Sequence, residues 1–297
     1  MQEFHRGAVM ESGDSSLDYC PVCACSKHRK LYDLEKGYLK SCCDCGTTFY
    51  LPRPTPQDLM NFYNSKEYRE DYQIGSMTGK EFSKNRYEQF SDSLRKYKPS
   101  YFQSSKKSLL DVGCGTGDFL ASAADHGWKV EGIEISEVAA QQANQLLGIN
   151  CVYVGTVDTI KLQDSTYDLA TSYHVIEHLL EPMVMLQRIY DLLKPGGILF
   201  LETPNINSVG AKIKGASWSH ITPPEHITYF KPSSLYFALK KTGFIKIHTY
   251  TIRPQRIESL QSIPIFLRPL VSSMYSIAPL LNMGASLQAI ATKPLSN

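Results

Sequence analysis

A chain of 297 residues is long enough for one large domain with an appendage, and its make-up, 42% hydrophobic and 20% charged, excludes a disordered or fibrous class. Thirty-one Lys and Arg stand against 29 Asp and Glu, a near-balance that excludes global attraction to nucleic acid and leaves only a local basic patch open. The opening MQEFHRGAVMESGDSS has no apolar run of signal-peptide length, so residues 1–18 are expected to be a disordered N-terminus of a cytoplasmic protein.

Eight cysteines without an export signal point to metal or free thiols rather than disulfides. Six of them fall between residues 20 and 45. Cys20/Cys23 and Cys42/Cys45 form two C-x-x-C pairs, each able to turn two thiolates toward one ion, and together they make a tetrahedral zinc site. Pro21 and Gly46 suit the tight knuckle turns, and KLYDLEKGYLKS between the pairs reads as a hairpin. Residues 19–53 are therefore expected to be a zinc ribbon, too small to hold a core without that staple. Cys25 and Cys43 are spare thiols that could compete as ligands; the equal spacing favours the two pairs. A redox C-x-x-C would require a strand–helix setting that is not present here. Four thiolates leave zinc no open position, so the site is read as structural.

Next, LPRPTPQDLMNFY turns on three prolines and starts a helix, with Thr55 as N-cap and Pro56 at the first position. Residues 54–104 are expected to form a helical linker or lid, interrupted near QIGSMTGKE.

From residue 105 to 297 the pattern changes to strand, turn and helix. Leu109–Val112 is a short apolar strand, Gly113, Gly115 and Gly117 form a G-x-G-x-G turn, and DFLASAADHG is a helix ending at Gly127. KVEGIEIS is a second strand with Glu134 at its carboxyl end. Strand, glycine turn, helix and strand with a terminal acid make a nucleotide-binding unit. Further on, IPIFLRPLVSSMYSIAPLL (263–281) carries Arg268, three prolines and three serines, too broken to span a membrane. It is expected to be a surface helix packed on the main domain, and any membrane contact would have to run through it.

The glycine spacing, together with Asp111 in LDVGCGTG, resembles the first motif of class I S-adenosylmethionine (SAM)-dependent methyltransferases. The resemblance continues in order through YVGTVDTI (153–160), TYDLATSYHVIEHL (166–179), DLLKPGGILFLETPN (191–205), SLYFALKKTGFIKIHTYTI (234–252) and ASLQAIATKP (285–294). It implies an α/β fold, a Rossmann-like doubly wound sheet of seven mostly parallel strands, with the small zinc ribbon in front. It also implies SAM as cofactor. The backbone of Gly113, Gly115 and Gly117 would line its methionine end, Asp111 would hold the amino group through water, and Glu134 would take the ribose diol. Val157 and Asp158 would border adenine, and His174 would lie beside the methionine and sulfonium. Cys114 is read as a small packed residue.

The C-P-x-C and C-x-x-C-G pairs, the RPTP linker and PPEHITYF resemble bacterial methyltransferases acting on sugars or small metabolites. That favours methyl transfer to the hydroxyl of a small-molecule acceptor. The alternatives are a ribosomal RNA or protein methyltransferase that uses the ribbon for recognition, disfavoured by the neutral charge, and an inert Rossmann-like scaffold.

HVIEH, residues 174–178, is similar to the E-x-x-E-H of metal-assisted small-RNA and quinone-pathway O-methyltransferases, with His174 replacing the first Glu and His226 as the distal histidine. Spacing places His174 and His178 on one face of a helical turn with Glu177 beside them. Three roles stay open for His174, Glu177, His178 and His226: a second divalent ion, acid/base contacts with the acceptor, or structural support. His220 is a substitute for His226.

Overall fold

The computed structural model describes residues 19–63, 79–98, 107–253 and 265–295. The expected disorder of 1–18 and most of the interruption near QIGSMTGKE lie outside these residues.

The chain opens as a ribbon of three antiparallel strands, β1 (His28–Leu34), β2 (Gly37–Cys42) and β3 (Thr48–Leu51). Gly37 turns the hairpin at φ +135°, where an added Cβ would stand 2.3 Å from the Leu51 carbonyl oxygen, so only glycine fits. Helix α1 (Pro56–Tyr63) starts as its sequence predicts: Asp58 N–H donates to Thr55 Oγ1 and Thr55 N–H donates to the Asp58 carboxylate. In α2 (Gly79–Tyr97), Tyr87, Phe90 and Leu94 recur at helical spacing and are buried. Phe90 meets Phe119 of α3 (Asp118–Asp125) edge-on at 5.5 Å and Phe200 at 5.4 Å, which seats α2 over the sheet.

The main sheet has seven strands. They are β4 (Ser108–Val112), β5 (Lys129–Glu134), β6 (Val152–Val154), β7 (Tyr167–Tyr173), β8 (Leu193–Pro204), β10 (Ile245–Ile252) and β11 (Ser286–Thr292). Their order is β10-β11-β8-β7-β4-β5-β6, and β11 alone runs antiparallel to its neighbours. The doubly wound, mostly parallel sheet read from the sequence is therefore present. Leu109, Leu110, Leu169, Ala170, Leu199, Phe200 and Leu201 are fully buried, as continuous apolar runs in a parallel sheet covered on both faces require. The covering helices include α4 (Glu137–Leu147), α5 (Pro182–Leu192) and α7 (Pro232–Thr242). From β4 the strands proceed outward in both directions, through β5 to one edge and through β7 to the other. That reversal opens a crevice at the carboxyl ends of β4 and β7, where open α/β sheets bind ligands.

Two local features depart from the sequence reading. The segment after β7 is not a helical turn with His174 and His178 on one face. His174 has φ +56°, its N–H donates to the Glu202 carbonyl at 2.9 Å, and only Ile176–His178 form a short 3-10 turn before α5 begins at Pro182. The left-handed residue ends the strand and redirects the chain, so helical periodicity does not apply across it.

The ribbon also extends beyond its own three strands. β9 (Thr228–Tyr229), from the PPEHITYF segment, pairs with β3 as its fourth strand. Cys20, Val22, Cys42, Cys45 and Phe49 share one core with Phe230 and Leu235. After a short α6 (Val209–Lys214), the 265–281 region forms α8 (Arg268–Ile277) between two 3-10 turns. It buries Ala278 and leaves Ile265, Phe266, Leu280 and Leu281 exposed. Among the described residues no helix is long and apolar enough to cross a membrane.

Candidate active site at the carboxyl edge of the sheet

The glycine turn follows β4 directly. Gly113, Gly115 and Gly117 all take positive φ (+78°, +55° and +81°), a run that L side chains with a Cβ rarely adopt. An added Cβ on Gly113 would meet Val175 Cγ2 at 2.3 Å, and one on Gly117 would meet Ala143 Cβ at 2.7 Å. The first of these contacts lays the glycine turn against the segment that follows β7. Glu134, at the end of β5, is held by both oxygens: Oε2 accepts from Gly115 N–H at 2.8 Å and Oε1 from Ser136 N–H at 2.9 Å. Burial raises its pKa while those backbone donors oppose the rise.

Asp111 is 2% exposed and accepts a 2.7 Å hydrogen bond from Thr171 Oγ1. Burial pushes its carboxyl up to about 7, with the Thr171 hydroxyl and the Arg86 charge working against that rise. The Arg86 guanidinium, on α2, lies 4.6 Å from the centre of the Tyr173 ring. At the carboxyl end of β7, Ser172 Oγ and Tyr173 OH are buried without a hydrogen-bond partner among the described residues. An orphaned Tyr173 hydroxyl close enough to feel the Asp111 charge, and a turn with no room for a Cβ at Gly113 or Gly117, fit the polar end of a bound ligand such as the methionine moiety of SAM. Val157 is buried and Asp158 exposed at the turn after β6. Cys114 is buried, its Sγ packed where a Cβ on Gly132 would fall, and burial raises its thiol pKa, so it is no nucleophile.

Glu177, His178 and His226 come together, with one donor atom from each within 4.8 Å of the others. The two histidines are oriented by the backbone. His178 Nδ1–H donates to the Glu225 carbonyl at 3.0 Å, and His226 Nδ1–H donates to the His220 carbonyl at 2.8 Å. A carbonyl only accepts, so each ring keeps its Nε2 lone pair available. Burial lowers the His178 pKa, and the nearby His226 adds to the effect. His220 stacks on His226 at 5.9 Å, and burial brings its pKa down to about 4.

His174 stands behind this group rather than in it. Its Nδ1 contacts Glu177 Oε1 at 3.2 Å and its Nε2 contacts Glu202 Oε1 at 3.3 Å. Burial favours the neutral ring, but hydrogen bonds to both carboxylates hold the pKa at about 9. In turn, burial would raise Glu177, and the His174 bond brings it down to about 2. Thr203 Oγ1 donates to Glu177 Oε2 at 2.9 Å, and Gln288 Nε2 donates to Glu202 at 2.6 Å. One carboxylate and two imidazoles fit a borderline divalent ion such as Zn²⁺, Mn²⁺ or Fe²⁺. Among the described residues, the four cysteines of the ribbon form a further candidate cluster, with Cys20–Cys45 and Cys23–Cys42 sulfurs 3.5 and 3.4 Å apart. This is far too long for a disulfide and near the edge of roughly 3.8 Å of a tetrahedron of zinc thiolates.

Arg86, Glu202, Thr203 and Gln288 were not singled out by the sequence reading. Glu202 carried a readable signal, a lone acid in the apolar strand ILFLETP. Arg86 carried none, because its place depends on how α2 docks.

This combination of sheet order, glycine turn and terminal acid defines a Rossmann-like methyltransferase fold. Residues 82–249, more than half of the chain, match the family model described as a methyltransferase domain, and the chain belongs to that family. It is 32% identical over 159 residues to a ubiquinone biosynthesis O-methyltransferase of Vibrio cholerae serotype O1, a match covering 48% of this chain and 64% of that protein. The chain thus spans less than two thirds of the length of this curated relative. Among solved structures, it is similar to a SAM-dependent methyltransferase from Archaeoglobus fulgidus, with TM-score 0.50, 23% identity and coverage of 70% of this chain and 94% of that one. It is also similar to Haemonchus contortus phosphoethanolamine N-methyltransferase 2 in complex with SAM, with TM-score 0.53, 17% identity and coverage of 90% and 71%. At these identities the structures speak for the fold.

Proposed function

We propose that the chain transfers the methyl group of SAM to a hydroxyl of a small-molecule acceptor, a sugar or similar metabolite, with Glu177, His178 and His226 serving the acceptor. The observation that carries this reading is two imidazole Nε2 lone pairs and a buried carboxylate, joined through Val175 to a glycine turn suited to SAM. The name of the Vibrio relative, a ubiquinone biosynthesis O-methyltransferase, supports oxygen as the atom methylated.

SAM supplies a methyl group on a sulfonium with a neutral leaving group. The protein must therefore position the acceptor in line and increase the nucleophilicity of its oxygen. Glu134, already fixed by two backbone donors, presents its carboxylate to the ribose diol, and Val157 and Asp158 border adenine. Asp111 faces the ammonium of the methionine end, and Arg86 offers its guanidinium to the carboxylate there. A divalent ion held by Glu177, His178 and His226 would supply Lewis acidity to the acceptor hydroxyl. In the absence of an ion, the same Nε2 atoms would instead orient that hydroxyl and accept its proton, while His174 keeps the Glu177 carboxylate turned toward them.

The test is transfer of label from SAM to a panel of nucleotide-sugars, phenols and quinone precursors, with the unmodified chain and His226→Ala side by side. Transfer to a hydroxyl-bearing compound is expected, with turnover down at least about 100-fold in the variant and SAM affinity within about twofold. Equal turnover in the two proteins would remove the acceptor role from the histidine.

A further inference from the structure

The join between the ribbon and the main domain falls on the segment that carries His226. Cys42 and Cys45 end the second knuckle, and Cys42 N–H donates to the Thr47 carbonyl at 2.8 Å. Thr48 and Phe49 of β3 pair with Tyr229 and Thr228 of β9, and Tyr50 N–H donates to the Ile227 carbonyl at 2.9 Å. Ile227 N–H in turn donates to the Glu177 carbonyl at 2.9 Å, and Tyr229 OH donates to the carbonyl of His226 itself at 2.7 Å. On the far side, the Arg53 guanidinium donates to the Leu180 carbonyl, just past the 3-10 turn, and lies 3.8 Å from Glu181. Phe49 is 1% exposed and packs in the same core as Cys20, Cys42 and Cys45. Backbone hydrogen bonds therefore run from the second knuckle through β3 and β9 to Ile227, next to His226, and on to the Glu177 carbonyl, while the Tyr229 and Arg53 side chains brace the two sides. By contrast, the glycine turn, Glu134 and Asp111 are held by β4, β5, β7 and their own side chains.

We propose that the four-cysteine ribbon positions the acceptor-side histidine, so that an ordered ribbon is required for the geometry of His226 and not for cofactor binding. The proposal rests on the assignment of Glu177, His178 and His226 to the acceptor side. Phe49 and Tyr50 are positioning residues acting through Ile227 and Thr228. A zinc ion on Cys20, Cys23, Cys42 and Cys45 would fix the knuckle from which β3 departs. Without it, β9 loses the strand against which it is registered, and His226 loses its fixed distance from His178.

The experiment uses the full chain labelled with ¹³C-histidine, with the His226 ring signals identified by their loss in His226→Asn. Two variants are compared with the unmodified protein: Cys45→Ser, which breaks the thiolate set, and Phe49→Ala, which keeps all four cysteines and loosens the joint. Zinc content, His226 signals and SAM affinity by calorimetry are read together. Displaced or broadened His226 signals are expected in both variants, with zinc lost only in Cys45→Ser and the SAM dissociation constant within about threefold. His226 signals unchanged from the unmodified protein in Phe49→Ala would overturn the proposal, even if Cys45→Ser fails to fold. SAM affinity lost in step with the His226 signals would overturn it too, since the ribbon would then support the whole domain. If the unmodified chain fails to bind SAM at all, the functional assignment fails, while the His226 signals still report on the mechanical link.

Discussion

Single side chains at this site carry separable duties. Glu134 spends both oxygens on backbone donors that shape the pocket, so Glu134→Ala removes a ligand contact and loosens the glycine turn at once. Two charge-assisted hydrogen bonds correspond to about 3 kcal/mol, a loss of about 100-fold in SAM affinity, read by calorimetry. Asp111 carries a pH signature. Its folded pKa of about 7 lies above the ordinary carboxyl value of 3.8, so the folded protein binds a proton more tightly than the unfolded chain. Its stability contribution is complete below about pH 4 and declines as pH rises through 7. Asp111→Asn does not titrate, so the ligand-free variant should be more stable than the unmodified chain by about 4 kcal/mol at pH 8, with no such advantage at pH 4. Denaturant titrations at the two pH values check this, and equal differences at both would contradict the buried-acid account. Glu177→Gln keeps the size of a side chain packed against Thr203 but removes its charge. Turnover should fall at least about 100-fold while SAM binding holds within about twofold, measured by single-turnover labelling and calorimetry.

Elements fix where these residues point. The glycine turn is tightly constrained, since Gly113 combines φ +78° with a Val175 methyl at 2.3 Å from any added Cβ. Gly113→Ala should cost about 2 to 4 kcal/mol and weaken SAM binding, with thermal unfolding as the readout. Much at this scale was legible in the sequence. The turn, Glu134 and the flanking strands β4 and β5 could be read because glycine spacing and apolar runs report local backbone geometry and burial, whereas the seven-stranded doubly wound sheet was implied by the resemblance to methyltransferases. The 174–178 stretch does not have the helical shape its spacing predicts. Sequence spacing assumed a helix there, and a single left-handed residue at His174 placed that ring against Glu202 instead of beside His178. The pairing of β3 with β9 was also beyond local reading, because strands of four and two residues separated by about 180 positions leave no periodic trace.

Across the whole molecule, two clusters of side chains that could ligate a metal, among the described residues, are linked by one run of hydrogen bonds. The four cysteines are placed to hold zinc closed to solvent chemistry, and on the proposed function Glu177, His178 and His226 would hold a second ion on the acceptor side. Elemental analysis of active protein should find a tightly held zinc that survives His178→Ala/His226→Ala, and a second divalent ion that does not. A single zinc per chain in fully active protein would leave the histidines with proton and positioning roles alone. The exposed apolar residues of 265–281 lie away from both clusters in sequence and share no hydrogen bond with them among the described residues.

The most direct measurement is calorimetric titration of SAM into the full chain and into Glu134→Ala. The pocket built from Gly113, Gly115, Gly117, Asp111 and Glu134 requires saturable binding of one SAM per chain, weakened about 100-fold in the variant. No binding to the unmodified chain, or equal affinity in both proteins, would contradict it.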